Sequence, residues 1–214
     1  HSNDELAAIM AGKKVGVGFS MTDRFFLLSG NTNREDLETQ LQLQTAYLMH
    51  PGYRQDGVTL LRRAIPMIYN KMDHEVQGAM KKQVPAILYR NNPRFTFPTQ
   101  EQLTSYQVKD VRDWVDAPLK NNYMEVTVTG DFRTEDIIPL LERTVGAVPK
   151  RAEAPATLDE TLRHPAMADF NFSKDLTYDS SIDKTMVCLF WKTPGGENKK
   201  LARRLNMLKA VFYD

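Results

Sequence analysis

Between Lys13 and Thr32 the chain reads KKVGVGFSMTDRFFLLSGNT, with two apolar runs at Val15–Phe19 and Phe25–Leu28 divided by polar Thr22-Asp23-Arg24. Short apolar runs on either side of a polar turn predict adjacent antiparallel strands. The period then changes. Asn33 is an N-cap candidate with acidic residues after it, and Leu37, Leu41 and Leu48 form an apolar stripe that Pro51-Gly52 ends, so a helix is expected there. Val58, Leu61, Ile65, Ile68 and Met72 recur at steps of three and four, which predicts an amphipathic helix bent by Pro66. A third helix is expected over 74–90, before the irregular stretch RNNPRFTFPT. Thr99 and Gln102 then make a capping-box signature, opening a helix that carries Leu103, Val111, Trp114 and Val115 on one face as far as Lys120.

The stretch YMEVTVTGDFRTEDIIPLLERTVGAVP, residues 123–149, reads as an alternating strand, a corner at Gly130-Asp131 and a helix that stops near Gly146. Thr134 is the expected cap, with Glu135 and Asp136 favoured by the positive end of the helix dipole. Residues 150–170 are rich in Ala, Pro and charge with no sustained period, and predict a linker. Beyond them KDLTYDSSIDKTMVCLFWKTP predicts two strands, and GENKKLARRLNMLKAVFYD a helix carrying Leu201, Leu205, Leu208 and Phe212. That last pattern reaches residue 214 without a stop signal, the expectation for a piece of a longer chain. Strands and helices come in groups (ββααα, αβα, ββα) rather than in strict alternation. The fold class expected is therefore α+β, mainly antiparallel sheets covered by helices on one face.

Composition alters this picture little. The chain has 214 residues, 42% of them hydrophobic, and 28 basic against 27 acidic residues. The charges are interspersed, so no face is marked for nucleic acid or anionic lipid. The densest apolar run, MVCLFW at 186–191, is strand-sized and far short of the ~18 residues of a membrane span.

Candidate chemistry is sparse. A phosphate site at Gly130-Asp131 would need exposed amides and a basic residue, whereas Asp131, Glu135 and Asp136 cluster there and repel an anion. The corner therefore reads as the hinge between a strand and its helix. Gly16 and Gly18 are not followed by a helix, so they lack the context of a dinucleotide fingerprint and read as strand or bulge glycines. The four histidines, His1, His50, His74 and His164, stand far apart, and no two lie four residues from one another. His74 and Glu75 are neighbours and would diverge on a helix. His50 and His164 each precede a proline, which suits a helix end or loop. Cys188 cannot form an internal disulfide and, inside an apolar strand, would be inert. No serine sits in a nucleophile elbow. The residues thus supply no catalytic, cofactor-binding or metal set.

The order and spacing of several stretches resemble a known family. SGNTNREDLETQLQLQTAYLMHPGY, then QEQLTSYQVKDVRDWVDAPLKNNYMEVTVTGDF, and EDIIPLLERTVGAVPKR are similar to segments of the insulinase/pitrilysin-type (M16) zinc metallopeptidases, well over 10–152 and more weakly through MVCLFWKTP and the last helix. The resemblance implies antiparallel sheets backed by helices, in paired homologous halves that close around a peptide. One half carries an inverted His-x-x-Glu-His zinc motif, and the other is usually catalytically empty. No His here is followed at +3 and +4 by Glu and His. The chain therefore resembles the non-catalytic half, inactive alone, with zinc expected in the catalytic partner half and none in this chain. The family's substrate-contacting Arg and Tyr would be expected after the last helix, beyond Asp214, and are not assigned. The domains expected are an M16-like α+β domain over 1–152 lacking its first part, a linker at 153–170, and the beginning of a second ββα unit at 171–214. The expected partners are a catalytic half, in the same polypeptide or a homologous subunit, and a peptide substrate, with no nucleic acid and no membrane span. The expected compartment is the periplasm or cell envelope. Two other readings stay open: a structural or assembly subunit without peptidase role, and an unrelated α+β peptide-binding module.

Overall fold

A computed structural model of the chain describes residues 3–22, 24–157, 159–169, 171–194, 196 and 198–213. By contacts the chain divides into two units, residues 1–58 with 106–157 and residues 59–105 with 158–214. The last of these boundaries falls within the Ala- and Pro-rich stretch after Lys150. Among the described residues no helix is long and apolar enough to cross a membrane.

The first unit opens with a short helix, α1 (Asn3–Ile9), followed by the expected hairpin of β1 (Gly18–Met21) and β2 (Phe26–Ser29). The strands pair antiparallel with Gly18 opposite Ser29 and Met21 opposite Phe26. The turn is tied by the Thr22 hydroxyl, which accepts from the amides of Arg24 and Phe25. In this register Phe19, Met21, Phe26 and Leu28 share one face. That face meets helices α2 (Leu37–Met49) and α6 (Val108–Asn121), where Leu48, Val115 and Leu119 form a core against which Phe26, Leu28, Tyr53, Met124 and Val148 pack. Phe26 also stands edge-on to Trp114 at 5.8 Å. Sheet on one side and helices on the other is the α+β arrangement the patterning predicts.

Helix α2 starts later than Asn33 implied. Asn33 accepts from the amide of Asp36 and closes a preliminary turn, and Asp36 occupies the N-cap position. Its carboxylate is turned away, accepting from the amide of Lys14 at 2.8 Å. The last helix of this unit, α7 (Thr134–Arg143), begins at Thr134 with Arg133 before it and no side-chain cap, so Thr134 is not the cap. A 3-10 turn at Val145–Ala147 ends it beside Gly146 as expected.

The second unit holds α3 (Gln55–His74) from Thr59 onward, α4 (Val76–Leu88), α5 (Gln100–Ser105), α8 (Glu160–Arg163) and α9 (Lys199–Tyr213). Helix α3 runs through Pro66 and buries Ile65, Tyr69 and Met72, while Leu61 and Ile68 of its apolar stripe remain exposed. The Thr99–Gln102 capping box is present, with both reciprocal bonds made. The helix it opens, however, ends at Ser105. Gln107 and Asp110 form a second capping box that starts α6 afresh, so the single helix expected from Thr99 to Lys120 is two.

The sheet is smaller than expected: among the described residues it consists of β1 and β2 alone. Residues 123–129, predicted as a strand, form no ladder, and neither do 174–194, predicted as two. Alternation supplies a face but not a neighbour, and a strand exists only where a second backbone lies alongside. Met124 and Val128 are the half-buried members of the first stretch, and Val126 is exposed. Val128→Asp is therefore expected to lower stability by about 1–2 kcal/mol, less than in a fully buried strand, while Asp131→Ala, at the exposed corner itself, leaves it nearly unchanged. Urea melts of the two variants check this; a larger loss in Asp131→Ala would reverse our reading of that corner.

Candidate functional site

The open feature of the first unit is the outer edge of β1. Its sequence, Gly-Phe-Ser-Met, carries no charge, all four residues are exposed, and only β2 pairs with it among the described residues. Just upstream the chain is clamped to α2 by a side chain. Gln40, 3% exposed, accepts from the amide of Gly16 at 2.9 Å and donates to its carbonyl at 2.8 Å, as a neighbouring strand would. A Cβ on Gly30 would lie 2.2 Å from the Gln40 amide nitrogen and 2.6 Å from the Gly16 oxygen, so only glycine lets the three meet. The sequence signal for this clamp was a polar residue one turn from Leu37 on the apolar stripe, where burial without a partner would be costly. An edge so held offers main-chain donors and acceptors without side-chain selectivity, the requirement for adding an extended peptide.

The Gly130-Asp131 corner leads into α7, although the strand expected before it does not form. Gly130 sits at φ +151°, where a side chain would be strained, and the carbonyl of Asp131 accepts from Arg34 at 3.3 Å. Arg133 grips both carboxylate oxygens of Asp136, at 2.7 and 2.9 Å, and this bidentate pair holds the Asp136 carboxyl below the usual carboxylate range. The cation nearest the helix start is thereby committed to an internal carboxylate.

Of the histidines, His1 lies outside the described residues. His50 terminates α2, its amide bonded to Ala46. His74 ends α3, with Nδ1 2.7 Å from the carbonyl of Asn70 and Nε2 3.8 Å from Asp179. Glu75 turns instead to Lys71, at 3.9 Å. His164 follows α8 and faces Glu160 at 3.5 Å. Among the described residues no three His, Cys, Asp or Glu side chains converge on a point. The purified chain is expected to carry no stoichiometric zinc in elemental analysis; about one zinc per chain, lost when His50, His74 or His164 is replaced, would overturn this. Cys188 is exposed rather than enclosed in an apolar strand, because the strand predicted around it does not form.

The second unit contains a groove of about 730 Å³ between α4 and residues 172–191, which sequence reasoning did not anticipate. Val76, Ala79, Met80 and Ile87 line its helical side. Those positions recur at helical spacing, so the apolar stripe of α4 was legible, but not what faces it. The opposite wall is fastened where Leu88 accepts from the amide of Ala168 at 2.8 Å and Gln83 reaches the carbonyl of Thr177 at 3.5 Å.

Residues 105–213 match the family described as the peptidase M16 inactive domain. Over 138 residues, 64% of this chain, the sequence is 21% identical to the chloroplastic stromal processing peptidase of Pisum sativum. The match spans 11% of that relative's length.

Proposed function

The chain belongs to the peptidase M16 family, through its inactive domain, and on that premise we propose that it is the non-catalytic, substrate-enclosing half of a zinc metalloendopeptidase. The observation that carries the reading is the family match itself in a chain with no His-x-x-Glu-His sequence. The peptide class is supported by the name of the pea relative, a processing peptidase. In this reading zinc and the hydrolytic step belong to a catalytic half, in the same polypeptide or in a homologous subunit, located in the periplasm or cell envelope. This chain contributes an uncharged strand edge at β1 on which an extended peptide can lie.

Backbone pairing of this kind is weak alone and tolerant of sequence. Titrating an unfolded peptide into the ¹⁵N-labelled chain is expected to shift amides within residues 15–28, and to do so at lower peptide concentration when the catalytic half is supplied. Shifts confined to Thr134–Val145, or no shifts even with that half present, would remove the substrate-enclosing role and leave an assembly subunit.

A further inference from the structure

Helix α6 ends without a glycine. Its C-cap, Asn122, is extended at φ −72° and ψ 160°, and its amide bonds back to the carbonyl of Pro118 at 3.1 Å. The last carbonyls of any helix lack partners within the helix itself. Those of α6 are answered by residues that follow α7 and its 3-10 turn. The guanidinium of Arg151 donates through Nη2 to the carbonyl of Leu119 and through Nη1 to that of Asn122 at 3.3 Å, and the amide of Ala152 donates to the carbonyl of Asn121 at 2.9 Å. A cation at the negative end of a helix dipole is favoured in addition to its bonds. Residues 151 and 152 thus supply the cap that the sequence of α6 does not.

The attachment is bounded on both sides. Before it, Val148 packs on the core of Leu48, Val115 and Leu119. After it, residues 153–157 are all exposed and enter no helix or strand. Between 149 and 157 only Arg151 is half-buried. The ion pair of Lys150 with Glu153, at 2.9 Å, joins two exposed side chains of this same segment and contributes little. The attachment is also incompletely satisfied. Nε of Arg151 is buried without a hydrogen-bond partner, and burial pushes the guanidinium below its ordinary pKa. A buried N–H left unanswered raises the energy of the closed form, so this joint opens more readily than the core beneath it.

We propose that Arg151 is a releasable latch on the end of α6, and that its opening transfers residues 149–152, about 13 Å of extended chain, from the first unit to the linker. The linker then has two lengths, selected by one side chain, and the shorter is the resting one. This does not rest on the peptide-enclosing reading, because it concerns the chain that leaves the first unit and not what β1 binds.

The test uses the full ¹⁵N-labelled chain with Arg151→Gln, Arg151→Lys and Lys150→Gln. In the unaltered chain the steep fall in the ¹H–¹⁵N heteronuclear NOE is expected after Ala152, and in Arg151→Gln after Val148. Hydrogen exchange at the Ala152 and Asn122 amides is expected to be about tenfold faster in Arg151→Gln, from the loss of two charge-assisted bonds. The amides of buried Leu43 and Leu48 in α2 keep their rates. Lysine retains the charge but cannot fork to two carbonyls, so Arg151→Lys falls between. Lys150→Gln, which removes only the exposed pair, changes neither readout. An NOE fall that stays after Ala152 in Arg151→Gln, or unchanged exchange at Ala152, would overturn the latch. Equal acceleration at Leu43 and Leu48 would also overturn it, by making Arg151 part of the cooperative core with no separate open state.

Discussion

Val115→Asp is expected to be the most damaging single substitution in the first unit, lowering stability by about 4 kcal/mol or more. Val115 is 5% exposed and, with Leu48 and Leu119, forms the core on which Phe26, Leu28 and Met124 pack. A carboxylate there either stays ionised among hydrocarbon or takes up a proton, and both states lose the packing of two methyl groups. The three cations of α6 are already paired, Lys109 and Arg112 with Asp113 and Lys120 with Asp116, so answering a new carboxylate would cost an existing ion pair. Urea unfolding followed by tryptophan fluorescence measures the effect, since Trp114 lies beside the substituted position and against Phe26. A loss under about 1 kcal/mol would mean that the three-residue core is not what holds the hairpin to its helices.

The second large effect is expected from Gln40→Leu, a change of similar volume that removes only the amide. Gly16 then loses the partner of both its N–H and its C=O. Gly16 is itself exposed, so water answers part of the loss and the expected cost is about 1–2 kcal/mol. Gln40→Glu separates the contributions, because a carboxylate keeps the bond from the Gly16 amide but cannot donate to its carbonyl. An intermediate loss is expected for it. Hydrogen exchange at Gly16 and at the β1 amides provides the local readout. Unchanged protection in Gln40→Leu would show that the hairpin holds its position without the clamp.

What the sequence made legible, and what it did not, divides along physical lines. The hairpin at 18–29, α2, α3, α4, α7 and α9 were readable because period and punctuation are local properties, carried by residues such as Val58 to Met72 or Gly146. Helix starts were misread at Asn33 and Thr134 because a capping residue bonds whichever amide is presented. Asn33 serves a preliminary turn, and the carboxylate of Asp36 is taken by Lys14. The break at Tyr106-Gln107 hid inside a continuous apolar pattern because Gln107 acts through its amide backbone and Asp110, neither of which disturbs periodicity. The strands at 123–129 and 174–194 failed for a different reason: their side chains alternate, but a ladder depends on residues elsewhere in the fold. The charge of the Gly130-Asp131 corner was legible from the sequence alone, and the bidentate Arg133–Asp136 pair supplied the detail that charge counting could not.

The Gln40 clamp has a consequence for anything that lies along β1. A two-stranded ribbon can ordinarily slip by one residue and turn every side chain over, because its ladder has no memory of phase. Here the chain just ahead of β1 is bolted to a helix turn at one residue, Gly16, by two bonds that no shifted register can satisfy together. The helix therefore acts as the index mark of a ruler. Phe19 and Met21 stay on the face they share with Phe26 and Leu28, and Ser20 on the other, so any strand laid along β1 would meet its donors and acceptors in one phase.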